Sequence, residues 1–433
     1  MATVQARVLK GFRDYLPTSD IPRQRVLRTI AEVFESFGFA PLTTPALEYS
    51  EVLLGKYGEE GDKLLYRFED NGGRDVALRY DLTVPLARVV AQHRDLEVPF
   101  RRYQIAPVWR AEKPGKGRFR EFLQCDVDIV GEPSIRADAE CLTVGLRVMK
   151  ALGVPGVMAR VNNRKILDGL MDSLGVEGTE RRHDVLRIVD KLPKIGREGV
   201  AKELSEAVGL SEEAQERLFT FMALDVSAGL QGVMEVVGET EQGRLGVEEL
   251  TALLNLMEGA GLGEQVEVDL SIARGLDYYT GTIYETFVLG HENYGSVMSG
   301  GRYDTLLGMF LKQSSPAVGI SVGIERLLSL LTEIGLIEGK AGTADVFAVL
   351  FDAESYGPLQ RAAQSLREQG LKVEVSLKPA KLGKQFRYAE RKGYRWVLIA
   401  SSGDLEQDKL GLKDLSSGTQ STVALEEIPS LIR

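Results

Sequence analysis

The chain has 433 residues, of which 44% are hydrophobic and 27% charged, the ordinary balance of a globular protein with room for about two to four domains of roughly 100–200 residues each. Two cysteines, Cys125 and Cys141, argue against a disulfide framework, and three histidines, His93, His183 and His291, offer little for a zinc site; no apolar run marks a signal peptide or nears the ~18 residues of a membrane helix. The formal net charge of −10 argues mildly against nucleic acid as a partner, but an average leaves room for one local basic surface.

In chain order, a first helix is predicted with Ser19 or Asp20 as cap, Pro22 in its first turn, and Val26, Ile30, Val33 and Phe37 on one apolar face. Gly38 to Pro45 reads as a strand closed by proline, and Leu47 to Leu54 as a short helix. Phe100 to Gly131 reads as two strands around the basic, turn-rich loop Lys113-Pro-Gly-Lys-Gly117. The second strand alternates: Leu123, Cys125, Val127 and Ile129 share one face, and Phe122, Gln124, Asp126 and Asp128 the other. The first places Val108, Arg110 and Glu112 on one face. Asp138 to Leu152 reads as a helix, and from about Lys165 to Gly261 helix-forming and acidic residues dominate, as in a helical insertion. Strand character returns from Val266 to Ile272 and runs on to Phe287. A glycine-rich stretch, Gly295 to Tyr303, precedes Pro316 to Gly323 and a helix from Ile324. Gly335 to Ala344 reads as a linker. Beyond it, strands at Val346–Phe351, Val373–Val375 and Trp396–Ala400 alternate with helices at Tyr356–Gln369 and Lys384–Lys392, which predicts a small α/β domain with a mostly parallel sheet.

Five constellations could carry chemistry. Arg110, Glu112, Lys113, Lys116, Arg118 and Arg120 form either a phosphate clamp or a solvated basic hairpin. Gln124, Asp126 and Asp128 form either a wet sheet face or a set of acceptors for a cationic or imidazole-bearing molecule. Arg274 with Asp277, Tyr278 and Tyr279 makes either a ligand pocket or a salt bridge among core tyrosines. Arg326, in the first turn of a helix whose dipole disfavours a cation there, hints at a ligand; a surface arginine is the plain alternative. From Lys372 to Arg395, eight basic residues face two acidic ones, interleaved with Phe386, Tyr388, Tyr394 and Trp396, as suits either stacked single-stranded RNA or a solvated helix face. No P-loop is present, nor a strand–GxGxxG–helix unit.

Taken in this order, the segments resemble the class II aminoacyl-tRNA synthetases, and within them the histidyl-tRNA synthetase family, over almost the whole chain. Gly38–Pro45, Phe100–Gly131 and Pro316–Leu328 resemble the three class motifs. Ala273-Arg-Gly-Leu-Asp-Tyr-Tyr279 and Ser299-Gly-Gly-Arg-Tyr-Asp304 are similar to stretches particular to the histidine members, and Gly383-Lys-Gln-Phe386 lies in a segment like their anticodon-binding domain. The resemblance implies an α+β catalytic domain, an antiparallel sheet flanked by helices, over residues 1–164 and 262–334; a helical insertion over 165–261; a linker over 335–344; and a C-terminal α/β anticodon-binding domain over 345–433. It implies histidine, ATP and tRNA(His) as substrates, Mg2+ held mainly through the ATP phosphates, a homodimer formed through the first motif, a cytoplasmic location and no membrane.

Residue roles follow from the same resemblance. Arg110 would grip the α-phosphate, with Arg274 opposite it, and Arg118 the outer phosphates. Phe122 and Arg326 would sandwich the adenine, with Glu112 near the nucleotide. Asp81, Thr83 and Gln124 would hold the amino group of histidine, Asp128 and Tyr279 would read its imidazole, and Tyr278 and Tyr303 would line that pocket. Lys384, Arg387 and Arg391 would face the anticodon. Asp81 and Asp128 stand where many relatives carry glutamate, and Gly115 stands in a loop that in some relatives bears a side chain contacting the tRNA acceptor end. The alternative is a regulatory subunit of ATP phosphoribosyltransferase, a non-catalytic paralogue; such chains usually lack the C-terminal domain and often lose the motif arginines, whereas Arg110, Arg118, Arg274 and Arg326 are all present here.

Overall fold

The computed structural model describes residues 4–55, 61–115, 117–273, 278–310 and 314–432. They fall into two compact units: one takes in Leu27–Leu336 with the residues before Asp14, the other Asp14–Val26 with the residues from Ile337 onward. The division falls inside the first helix, Pro17–Ser36, which starts ahead of the expected cap, so that Pro22 lies within it. Its buried positions are Pro22, Val26, Leu27, Ile30 and Phe34, while Val33, and Phe37 just beyond its end, are only half-buried. Among the described residues no helix is long and apolar enough to cross a membrane.

The strands of the first unit are β1 (Ala40–Pro41), β2 (Leu47–Tyr49), β3 (Arg67–Glu69), β4 (Asp75–Leu78), β5 (Phe100–Trp109), β6 (Glu121–Val130), β7 (Val157–Asn163), β8 (Val266–Val268), β9 (Thr282–Val288), β10 (Met298–Arg302) and β11 (Ala317–Gly323). Eight of them form one sheet in the order β1-β5-β6-β11-β10-β9-β7-β8. It is antiparallel from β5 to β7, as expected, and parallel at each edge, where β1 joins β5 and β8 joins β7. A parallel pair needs a crossover connection, and the helices between β7 and β8 provide one. The expected helix from Leu47 is half strand: β2 pairs with β4, and only Ser50–Leu53 is helical. The strand expected to run from Val266 to Phe287 is interrupted, leaving β8 and β9.

Helix Ile135–Ala151 covers one face of this sheet. It comes close at Gly145, where a Cβ would overlap the Met298 thioether and lie 2.9 Å from Ile320 Cδ1. A large side chain there would overpack the contact, at a cost of about 1–3 kcal/mol. The helices after β7 begin at Arg164–Ser173, capped by the Asn163 side chain, and end at Glu241–Gly259. These two cross so closely that a Cβ on Gly169 would sit 2.6 Å from Gly243 Cα.

In the second unit, β12 (Val346–Ala348), β13 (Val373–Val375), β14 (Trp396–Ile399), β15 (Leu410–Asp414) and β16 (Gln420–Val423) form a sheet in the order β13-β12-β14-β15-β16. The first three are parallel, as the strand–helix alternation predicts; β14, β15 and β16 pair antiparallel. Helix Tyr356–Glu368 buries Leu359, Ala363 and Leu366 against Val346, Leu398 and Leu412.

Candidate active site

The polar face of β6 is the floor of a cavity of about 460 Å³. Strand pairing builds it, because Gln124, Asp126 and Asp128 stand beside Gly323, Ser321 and Gly319 of β11. That face of β11 has to stay small, since a Cβ at Gly319 would overlap Asp128 Oδ1. Of the two readings left open for this face, the wet one fails: Asp126 is 3% exposed and Asp128 2%.

The described residues expected to bind ATP and histidine all lie on this one cavity: Asp81, Thr83, Arg110, Glu112, Arg118, Phe122, Gln124, Asp128, Tyr278, Tyr279, Tyr303 and Arg326. Arg274 and Asp277 fall outside the described residues. Because β5 ends at Trp109, Arg110 and Glu112 leave the strand and sit at the turn that follows, where Arg110 N–H donates to Arg120 O at 2.9 Å. The Arg110 guanidinium lies 4.3 Å from the Tyr80 ring centroid and 5.1 Å from that of Phe122, and its Nε donates to Tyr80 O at 3.1 Å. Stacking of that kind fixes a planar cation without neutralising it. Arg118 lies 4.0 Å from Glu112 and is well exposed, an ion pair too solvated to hold either side chain rigidly. In the first turn of helix Ile324–Glu333, Arg326 Nη1 donates to Ser296 O at 2.9 Å, while Glu325 pairs with Arg13, whose guanidinium stacks 3.8 Å over Phe119.

The floor is rich in buried acid. Asp81 Oδ1 accepts Val84 N–H at 3.1 Å and so holds the start of helix Thr83–Gln92. Tyr303 donates to Asp128 Oδ1, and Arg102 Nη2 lies 2.7 Å from Asp128 Oδ2. Tyr278 packs edge-on against Tyr279 and Tyr303, with centroids 5.3 and 5.7 Å away. Gln124 Nε2 donates to Ser321 Oγ at 3.1 Å, which leaves its Oε1 buried with no hydrogen-bond partner; Asp126 Oδ1 is in the same position. Burial pushes Asp126 up to about 7; Arg102 and Ser321 pull it down, and Asp128 and Asp81 push it further up. Burial, with Asp126, Asp128 and Asp81, also raises the Tyr279 phenol, so it stays a donor at neutral pH. This arrangement can take a small molecule rich in N–H groups on its floor and a polyanion against its arginines.

Sequence reasoning gave no role to Arg102, Ser321 or Arg13, and named Asp126 only as one of three acceptors on the polar face of β6. Asp126 carried a signal in the alternation of β6. Arg102 carried none, because an arginine on a strand reads as solvent-facing until the sheet is assembled.

On the second unit, Lys384, Arg387 and Arg391 are exposed along one side of helix Leu382–Lys392. The interleaved aromatics are not open stacking surfaces. Tyr388 donates to Glu374 at 2.6 Å, Tyr394 donates to the same carboxylate, and both rings pack on Phe347. Core packing took them, which leaves that face basic but not aromatic.

Comparison with known proteins agrees with this geometry. The family model described as Histidyl-tRNA synthetase matches residues 11–327, and the one described as Anticodon binding domain matches residues 346–433. A histidine–tRNA ligase of Rhodopirellula baltica is 44% identical over 425 residues, 97% of this chain and 96% of the relative. The crystal structure of histidyl-tRNA synthetase from Nostoc sp. PCC 7120 is similar with a TM-score of 0.89 and 36% identity, covering 99% of each chain. A Bacillus halodurans structure described as an ATP phosphoribosyltransferase regulatory subunit/histidyl-tRNA synthetase has a TM-score of 0.76 and 24% identity over 93% of this chain and 100% of that one, a likeness of fold alone. A match over most of the chain, with close relatives along nearly its full length, places this protein in the histidyl-tRNA synthetase family of class II aminoacyl-tRNA synthetases.

Proposed function

We propose that this chain activates histidine with ATP, giving histidyl-adenylate and pyrophosphate, and then transfers the histidyl group to the 3′ end of tRNA(His). The observation that carries the proposal is one cavity in which buried acceptors and phenols on the floor meet arginines from two distant stretches of chain. The histidine carboxylate attacks the α-phosphorus in line, and charge builds on phosphate oxygens, so the protein's task is to position the reactants and supply fixed positive charge. Arg110, held against the rings of Tyr80 and Phe122, grips the α-phosphate, and Arg274 acts from the opposite side. Arg118 meets the outer phosphates, and Phe122 and Arg326 flank the adenine. Asp81, Thr83 and Gln124 hold the ammonium group, while Asp128, Tyr279, Tyr278 and Tyr303 surround the imidazole. Glu112, on the same cavity, would face a Mg2+ held mainly through the ATP phosphates, and that ion would supply positive charge against the departing pyrophosphate.

The catalytic domain occupies residues 1–164 and 262–334, interrupted by the helical domain at 165–261; a linker at 335–344 leads to the anticodon-binding domain at 345–433, where Lys384, Arg387 and Arg391 meet the anticodon. The protein works in the cytoplasm as a homodimer joined near Gly38–Pro45. Leu47, Tyr49 and Phe68, all exposed on the small sheet of β2, β4 and β3, support an interface there. The test is exchange of labelled pyrophosphate into ATP. Exchange should require histidine and collapse in Arg274→Ala; a wild-type protein that gives none would instead be a binding protein of this fold.

A further inference from the structure

The residues ahead of the first helix are bound to two walls of the cavity at once. Phe119 lines it from the loop between β5 and β6, next to Arg118, and Glu325 lines it from helix Ile324–Glu333, next to Arg326. Arg13 joins the two: its guanidinium stacks 3.8 Å from the Phe119 ring centroid, and its Nη2 pairs with the Glu325 carboxylate. Glu325 is 6% exposed, so solvent screens this pair less than it would a pair on the open surface. Arg13 is itself anchored by its neighbours. Arg120, grouped in the sequence with the candidates for a phosphate clamp, uses its donors on the main chain instead: its N–H donates to Gly11 O at 2.8 Å, its Nη1 to Lys10 O at 3.3 Å and its Nε to Glu112 O at 3.0 Å. Gly11 makes that approach possible, because its φ is +88° and a Cβ there would lie 2.8 Å from Arg120 Cγ. Phe12 meets the Tyr66 ring edge-on at 6.1 Å. The segment Lys10–Arg13 is thus laced to the base of the loop and reaches from it to the helix.

We infer that Arg13 is a positioning residue for ATP, which through Phe119 and Glu325 fixes the spacing between Arg118 on the loop and Arg326 on the helix. The inference rests on the proposed reading of the cavity as an ATP site and deepens it. Arg118 has little else to hold it, since it is well exposed and its Glu112 partner lies 4.0 Å away. Its placement therefore follows the backbone beside it, and Phe119 is the adjacent residue that packs. Arg13 also offsets the charge of Glu325, a carboxylate on the wall of a cavity that takes a polyanion. With the tie gone, loop and helix can part, and a binding wall displaced by about 1 Å can cost on the order of 10²-fold.

The experiment is steady-state pyrophosphate exchange with Arg13→Met and Arg13→Lys. Arg13→Met keeps the reach of the side chain and removes both its charge and its flat stack on Phe119; Arg13→Lys keeps the charge alone. The expected result is a KM for ATP raised about 10-fold or more in Arg13→Met, the range of a lost hydrogen bond to a charged group, and about threefold in Arg13→Lys. KM for histidine should stay within about twofold of wild type in both, a split that a general loss of structure would not produce. Adding Phe119→Leu to Arg13→Met should raise KM for ATP by less than Phe119→Leu does in the wild type, since the two changes break one contact. A folded variant of either kind with unchanged KM for ATP overturns the inference. So does one that raises both KM values alike. A wild type with no exchange at all counts against the proposed function instead.

Discussion

Arg302 and Arg102 are both buried arginines paired with buried aspartates, and they differ in how completely the pairing is satisfied. All the donors of Arg302 are taken: Nε by Asp138 at 3.1 Å, Nη1 by Glu132 O at 3.3 Å and Asp304 Oδ1 at 3.2 Å, and Nη2 by Ser134 O at 3.1 Å and by Asp138. Arg102 donates to Leu82 O at 3.1 Å and lies against Asp128, but its Nε and Nη1 find no hydrogen-bond partner. Beside it Asp126 and Gln124 also hold open acceptors. The first cluster is closed and fastens β10 to the segment leading into helix Ile135–Ala151. The second is open, and it borders the cavity. A folded chain tolerates unpaired buried polar atoms where a ligand completes them.

The contrast can be broken by experiment, and the largest effect belongs to the cavity. Arg110→Ala should lower histidine-dependent exchange by ~10³-fold, the scale of losing a preorganised charge at a reacting oxyanion. Its urea unfolding should stay near that of wild type. Next comes the closed cluster. Arg302→Met leaves Asp138 buried and alone, and should destabilise the fold by about 3–5 kcal/mol in urea titration. Adding Asp138→Leu should restore much of that loss; a double variant no better than the single would show that Arg302 does not act through this pair.

The open cluster predicts a pH signature. Asp126 is raised to about 7 by burial, against an unfolded value near 4, so the folded state holds a proton that the unfolded chain has released. Its stabilising share is therefore whole below about pH 4 and fades as pH rises to about 7. Thermal melts of ligand-free protein should show a wild-type Tm that falls from pH 5 to 8 more steeply than that of Asp126→Asn. Parallel curves would remove Asp126 from the balance. The smallest effect is expected where charge faces only solvent. Replacing Lys384, Arg387 and Arg391 together with alanine should lower kcat/KM for tRNA about tenfold and leave exchange within about twofold, with a shallower salt dependence of charging. Equal loss in both assays would mean that the helix supports the fold rather than the tRNA.

Much of this was legible in the chain. The alternation along Phe122–Ile129 predicted β6 and its polar face. Lys384, Arg387 and Arg391, spaced by three and four residues, form an exposed stripe on a helix where one was expected. The misreadings share one cause. Tyr388 and Tyr394 looked like stacking platforms because basic neighbours surround them in sequence, but Glu374, on a strand of the same stretch, and Phe347, well before it in the chain, claim them. The Leu47 segment looked helical because its pairing partner, β4, lies about thirty residues on. Local pattern cannot report what a distant segment will do.

By itself, then, the sequence determined which residues share a face along a strand such as β6, since a period of two is a property of the local backbone. It also determined which residue types were available for phosphate, adenine and imidazole. Only the tertiary structure decided which acids would be neighbours. Gln124, Asp126 and Asp128 come under the field of Arg102 and Asp81 because β5, β6 and the turn before helix Thr83–Gln92 converge, and burial there changes what each carboxylate does. Electrostatic character depends on distance through space and on exclusion of water, and neither is written at any single position of the chain.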